Sequence, residues 1–387
     1  PGFIYKDINH LSTLKKTHSS YVFAKSSTRA KLRMETPVIY FHSDEARMVN
    51  VQVDLPKGRL TEWYPVAAAA GPALTGTNFY IGSYGFGTIT NPKYIKWDNI
   101  QIHAPNHEAT LIKDDRGSHY YDARNTTANL LSVPSHKGTE TEGFLFYRGV
   151  AHFDSPVKVT ENSKGMLLMQ NSLNVAINNA LLIETDDKQI KRRWLGNFLP
   201  NGTITVKKPN EQKELRVVTV SELSKEFVDR LAAAGLNRDE AAAMVSTWDD
   251  SWFEEKGTRV LYFLPQSWVD ERMPLKVSPT PSETKRVMVA RSELIRKDRE
   301  FALLQAIMLY SRNTPEARAQ ALNDYRELAL GRFANEVVAH LTRTVKYPAF
   351  KAAARDLIQN TNVVKQSKTK TVASNLTFPS PNPAPRL

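Results

Sequence analysis

Val49-Asn50-Val51-Gln52-Val53-Asp54-Leu55 alternates apolar and polar residues one by one, the period-two pattern of a strand with one face buried. Pro56-Lys57-Gly58 supplies a turn, and Leu60 to Tyr64 follows at once as the next apolar cluster. Working outward, Val38-Ile39-Tyr40-Phe41 precedes them. Further short β-type segments recur at Phe79–Ile81, Ile95–His103, Ala109–Ile112, His119–Ala123, Leu130–Val133, Gly143–Val150, Val157–Thr160, Met166–Leu168 and Thr203–Lys207. Gly, Pro, Asn and Asp punctuate them, whereas Leu173–Glu184 reads equally as strand or helix. Many short strands separated by turn residues predict an antiparallel β sandwich- or barrel-like domain over 37–215.

Past about Leu215 the period changes. Ser221 is positioned to cap a helix carrying Leu223, Phe227, Val228 and Leu231, with Gly235 at its C′ position. Asn237 followed by Glu240 three residues later is a variant of the capping box, and Ala241, Met244, Val245, Trp248 and Trp252 then share one helical face. Gly257 ends that helix, Val260 to Leu264 reads as a strand, and Val287-Met288-Val289 as another. This order predicts a small α+β unit over 216–291. From 292 to 358 the pattern is helical, with Phe301, Leu303, Leu304, Ile307 and Met308 as one stripe and Thr314-Pro315 as a helix entry. A Pro-rich basic tail, 359–387, is expected to be extended. The fold class is therefore α+β: a β-rich domain, then a smaller α+β and helical C-terminal region, between extended basic arms.

The chain of 387 residues contains no cysteine, which excludes disulfide scaffolds, thiolate metal sites and cysteine nucleophiles. No apolar run approaches the roughly 18 residues of a membrane-spanning helix, so no transmembrane segment is expected. The net charge of +12 is concentrated at the ends. Residues 1–36 carry Lys6, Lys15, Lys16, Lys25, Arg29, Lys31 and Arg33 against Asp7 and Glu35, a net +5; residues 361–387 carry Lys365, Lys368, Lys370 and Arg386, a net +4. The body keeps the remaining +3. Lys15, Lys16, Lys25, Arg29, Lys365, Lys368 and Lys370 are thus the candidate partner-binding residues, for other protein subunits or a second copy, or for an acidic surface or polyanion. Tyr21-Val22-Phe23 is an apolar cluster within the N-terminal arm. The start lacks the apolar stretch of a signal peptide, and a chain beginning at Pro1 reads as a processed or trimmed product.

Candidate chemistry is sparse. His103 and His107, with Glu108 or Asp122 behind them, are the candidate ligands of a divalent metal; the alternative is histidines at strand ends with ordinary hydrogen bonds, since Pro105 breaks the helical spacing that would align them. Glu62, flanked by apolar residues, and His119 are the candidate acid–base residues; the alternative for Glu62 is an ion pair, for example with Arg148. Asp249, Asp250, Glu254 and Glu255 read as the solvated face of the helix that buries Trp248 and Trp252, and they weigh against DNA reading by that helix. Gly82 to Gly87 lacks the lysine and following helix of a phosphate loop.

The runs Met34-Glu35-Thr36-Pro37-Val38-Ile39-Tyr40-Phe41, Leu60-Thr61-Glu62-Trp63-Tyr64-Pro65, Ser118-His119-Tyr120-Tyr121, Phe144-Leu145-Phe146-Tyr147-Arg148-Gly149-Val150 and Trp248 through Tyr262 resemble a family of uncharacterised bacterial proteins, often exported. The resemblance spans roughly residues 30–300. It implies a bacterial origin and a periplasmic, extracellular or envelope location, and it carries no activity. The leading expectation is a structural or interaction component of a bacterial envelope or extracellular assembly, held to neighbours through its arms. The alternatives are an envelope hydrolase using Glu62 and clustered histidines, with or without a metal, and a polyanion or nucleic-acid binder.

Overall fold

The computed structural model describes residues 32–34, 37–71, 79–80, 92–111, 119–135, 138–151, 153, 155–161, 166–206, 215–294, 297–328, 330, 337–338, 341 and 347–373. The candidate arm residues Lys15, Lys16, Lys25 and Arg29, the glycine-rich loop and the final prolines lie outside this set.

In chain order the strands are β1 (Leu32–Met34), β2 (Val38–Ile39), β3 (Arg47–Asp54), β4 (Gly58–Tyr64), β5 (Ala69–Gly71), β6 (Phe79–Tyr80), β7 (Tyr94–Ile102), β8 (Leu131–Ser135), β9 (Gly138–Glu142), β10 (Leu145–Ala151), β11 (Val157–Glu161), β12 (Leu167–Asn171), β13 (Ile177–Thr185), β14 (Ile190–Phe198), β15 (Thr203–Val206), β16 (Arg216–Val218), β17 (Gly257–Leu264), β18 (Leu275–Ser278) and β19 (Met288–Leu294). The helices are α1 (Val220–Ala233), α2 (Arg238–Asp249), α3 (Gln266–Arg272), α4 (Lys297–Tyr310), α5 (Pro315–Glu327) and α6 (Pro348–Ala373). The protein is α+β, with antiparallel sheets dominating the N-terminal part and helices the C-terminal part.

Among the described residues four sheets make up the β part. One centres on β10, with β4 on one side and β1 and β2 on the other. A seven-stranded sheet runs β18-β3-β7-β5-β6, with β8 and β9 attached to β7. A third is β11-β12-β15, and a five-stranded sheet runs β16-β14-β13-β17-β19. β17 and β18, from the stretch expected to form a unit over 216–291, pair with β13 and β3. They extend sheets begun before residue 215.

The central strands of the five-stranded sheet, β13 and β17, are buried on both faces. Leu182, Val260 and Tyr262 point into one core with Val51, Trp97, Leu145 and Leu167. Leu181, Ile183, Leu261 and Phe263 point into a second, against Leu223, Phe227, Leu231 and Trp252. A strand buried on both faces loses its alternation, which accounts for the ambiguity of Leu173–Glu184 in the sequence. Phe144 to Tyr147 obeys the same logic: Phe144 and Phe146 go to the second core, Leu145 and Tyr147 to the first.

α1 starts where Thr219, rather than Ser221, takes the N-cap and forms a full capping box with Glu222. It ends at Gly235, whose φ of +113° suits glycine. α2 passes directly into a π turn, Asp250–Glu254. Two arginines serve its carbonyls. Arg259, with no exposed side-chain surface, donates through Nη1 to Trp252 O at 3.0 Å, to Glu255 O, and through Nε to Glu293 at 2.9 Å. Arg291 donates to Ser251 O and bridges Glu255 and Glu293. Burial lowers the Arg259 pKa, and Glu293 opposes that effect.

Several expected elements differ. His119–Ala123, read as a strand, is part of a 3₁₀ turn, His119–Arg124, with Ala123 buried; a tight turn that buries one side imitates alternation over so short a run. Residues 109–111 take no regular structure. On α4, Leu303, Ile307 and Tyr310 are buried, but Phe301 and Met308 are each 61% exposed, so the stripe is narrower than the sequence suggests. α4, α5 and α6 pack around their own core. α6 continues to Ala373, into the stretch expected to be extended, because no proline or glycine interrupts it before Pro379.

Arg259→Ala leaves Trp252 O and Glu255 O without their guanidinium donor, and Glu293→Ala removes the carboxylate to which buried Arg259 donates. Each is expected to lower unfolding stability by about 3–5 kcal/mol. Arg259→Met should recover only part of this, since two carbonyls stay without a donor; urea denaturation that ranks Arg259→Met with the wild type would contradict the role assigned to the cluster.

Candidate functional site: a cleft between two strand edges

A cleft of about 1080 Å³ opens where the two β cores meet. One wall is the chain from 37 to 42, containing β2; the opposite wall is 281–293, containing most of β19. β2 pairs only with β10, and β19 only with β17, so each is the outermost strand of its sheet among the described residues. Two outermost strands therefore line the cleft, and an outermost strand leaves alternate backbone N–H and C=O groups unpaired by its own sheet. Phe144, Phe146, Trp248 and Trp252 supply apolar floor.

The start of α2 forms the polar rim. His42 Nε2 lies 2.8 Å from Glu240 Oε1 and 3.2 Å from Asn237 Nδ2. Glu240, mostly buried, also accepts the Asn237 backbone N–H at 3.0 Å, which fixes the first turn of the helix. Asp239 accepts from both the backbone and hydroxyl of Thr127. Burial raises the Asp239 pKa, but these bonds and the Glu240 N–H outweigh it and hold the carboxyl below 3.8. Tyr40 donates to Ala123 O at 2.7 Å; burial, then Glu240 and Asp239, keep its hydroxyl protonated well above 10.0. The described partners of His42 are a carboxylate and an amide, so this rim organises a helix start and presents no hydroxyl nucleophile to the imidazole.

The sequence candidates sit elsewhere. Glu62 on β4 faces Arg148 on β10, directly opposite in register, with Nη1 to Oε2 at 2.8 Å. His103 Nε2 is 2.8 Å from Ser132 Oγ, and its ring stacks on His107 with centroids 3.8 Å apart and planes 4° from parallel. Imidazole lone pairs lie in the ring plane, so stacked parallel rings do not converge on one ion. Among the described residues no group of three or more His, Asp or Glu is arranged to hold a metal. His119 opens the 3₁₀ turn, and its side chain is outside the described set. No described hydrogen bond or ion pair joins Glu62 to a histidine. Lys365, Lys368 and Lys370 lie on the backbone of α6. Among the described residues no helix is long and apolar enough to cross a membrane. The acids after α2 divide: Asp250 and Glu254 are exposed, while Glu255 turns in to Arg291.

Comparison with known proteins yields no match: no family model, no curated protein and no solved structure is similar to this chain.

Burial and the neighbouring His107 lower the His103 pKa from 6.5. As pH falls below that value the unfolded chain takes the proton first, so the contribution of His103 to stability is full above 6.5 and declines below it. His103→Asn is expected to flatten this part of the stability–pH curve, read from urea midpoints on either side of pH 6.5. An unchanged slope would contradict the stacking account.

Proposed function

We propose that the protein is a structural or interaction component of a bacterial envelope or extracellular assembly, joined to its neighbours through its terminal segments. The cleft carries the reading: two strand edges flanking an apolar floor make a surface suited to receive an extended segment by strand addition. The cationic surplus at the two ends supports it from the other side. The bacterial and envelope parts rest on the sequence resemblance alone. The hydrolase alternative is less well supported, because Glu62 is engaged by Arg148 and the stacked His103 and His107 are poorly disposed to share an ion.

Deleting residues 1–31 tests the reading. Native mass measurement is expected to give multiples of the 43.7 kDa chain for the full sequence and a single chain for the truncated form. Multiples that persist after truncation of both ends, or a single chain in every case, would refute it. A polyanion-binding role would instead appear as retention on a phosphate-rich matrix that weakens steeply with salt.

A further inference from the structure

Resting on that reading, we infer that the cleft is the acceptor for the Tyr21-Val22-Phe23 stretch of a second copy of the chain, added as a strand alongside β19. The pattern of that stretch fits the position. β19 already faces two cores, with Met288 and Ala290 against the first and Val287 and Val289 against the second. A strand laid beside it has apolar surroundings on both faces and needs consecutive apolar residues rather than alternation. The first 31 residues hold two runs of three such residues with high strand propensity, Phe3-Ile4-Tyr5 and Tyr21-Val22-Phe23; Asp7 closely follows the first, whereas the charges that flank the second are all cations.

Charge agrees. The lining carboxylates Glu240, Glu283, Glu293 and Glu300 outnumber the lining cations Lys285, Arg286 and Arg291. Each of those cations already meets a carboxylate: Glu283, Asp270, and Glu255 with Glu293. The apolar triplet is flanked by Lys15, Lys16, Lys25 and Arg29, and no acid lies between Asp7 and Glu35. A cationic segment thus enters a cleft with carboxylate in excess.

Assembly through the terminal segments, the reading this rests on, selects the second copy. Leu32 pairs with Ala151, at one end of β10, and the chain runs from there toward Ile39, opposite Leu145, where the cleft lies. The residues before Leu32 therefore begin at the Ala151 end of β10, and Ser155 and Val157, a few residues further on, also line the cleft. Eight residues separate Phe23 from Leu32 and span about 26 Å when extended, a reach over which cross-linking separates a second copy's cleft from the chain's own.

The absence of cysteine makes the test clean. Full-length Val22→Cys and full-length Thr284→Cys, the latter at an exposed position of the cleft wall, are mixed and treated with a short bis-maleimide. Covalent dimer is expected at about tenfold or more above the yield from Val22→Cys mixed with Lys188→Cys, an exposed site away from the cleft. A yield equal to that control overturns the assignment. So does a chain carrying both Val22→Cys and Thr284→Cys that closes only on itself, which would place the stretch in its own cleft. If truncation of residues 1–31 reduces the native mass while the cross-link stays at control level, assembly stands and the cleft is not the acceptor; a single-chain mass throughout removes both.

Discussion

The centre of the five-stranded sheet, β13 and β17, has to be dry on both sides, and the remaining architecture follows from that. One face needs the seven-stranded and β10-centred sheets, and the other needs α1 and α2; neither layer finishes a core without it. Side chains such as Tyr262 and Phe227, essentially without exposed surface, sit on opposite sides of it. Fully burying an aromatic or aliphatic side chain contributes about 1.5–3 kcal/mol, so the two faces together supply far more than any ion pair. The same demand explains why the chain returns to this sheet after its first two helices: only a strand, β17, can fill the centre between β13 and β19.

Polar chemistry is concentrated where that sheet meets irregular backbone. The π turn after α2 leaves carbonyls that no helical N–H reaches, and the guanidinium groups of Arg259 and Arg291 fill the deficit. Glu293 and Glu255 neutralise the two cations. π turns often mark functional positions, and this one borders the cleft through Trp252. The buried cluster therefore links the rigid centre to the wall at which a partner strand would be read.

Local signals were legible in proportion to how local their physics is. Thr314-Pro315 opens α5, and Asn237 with Glu240 opens α2, because capping is settled within four residues. The Glu62–Arg148 pair was readable as an alternative, since both residues stand in apolar runs and each needs a counterion. The His103–His107 spacing gave nearness but not the ring orientation that disfavours a shared ion. The cleft was not legible. His42 and Glu240 lie 198 positions apart, and a sheet edge is defined by the strand that fails to pair with it, which no window of sequence contains. Helix continuation through 360–373 was missed for a different reason: that stretch has no strong apolar stripe, so only propensity and the lack of a breaker indicated it.

The helices α4, α5 and α6 gather their own small core around Leu303, Ile307, Tyr325, Ala354 and Leu357. That cluster shares no buried residue with the two cores of the sheet region. Stability is therefore expected to be uneven along the chain, with amide protons of the C-terminal helices exchanging before those of β13 and β17.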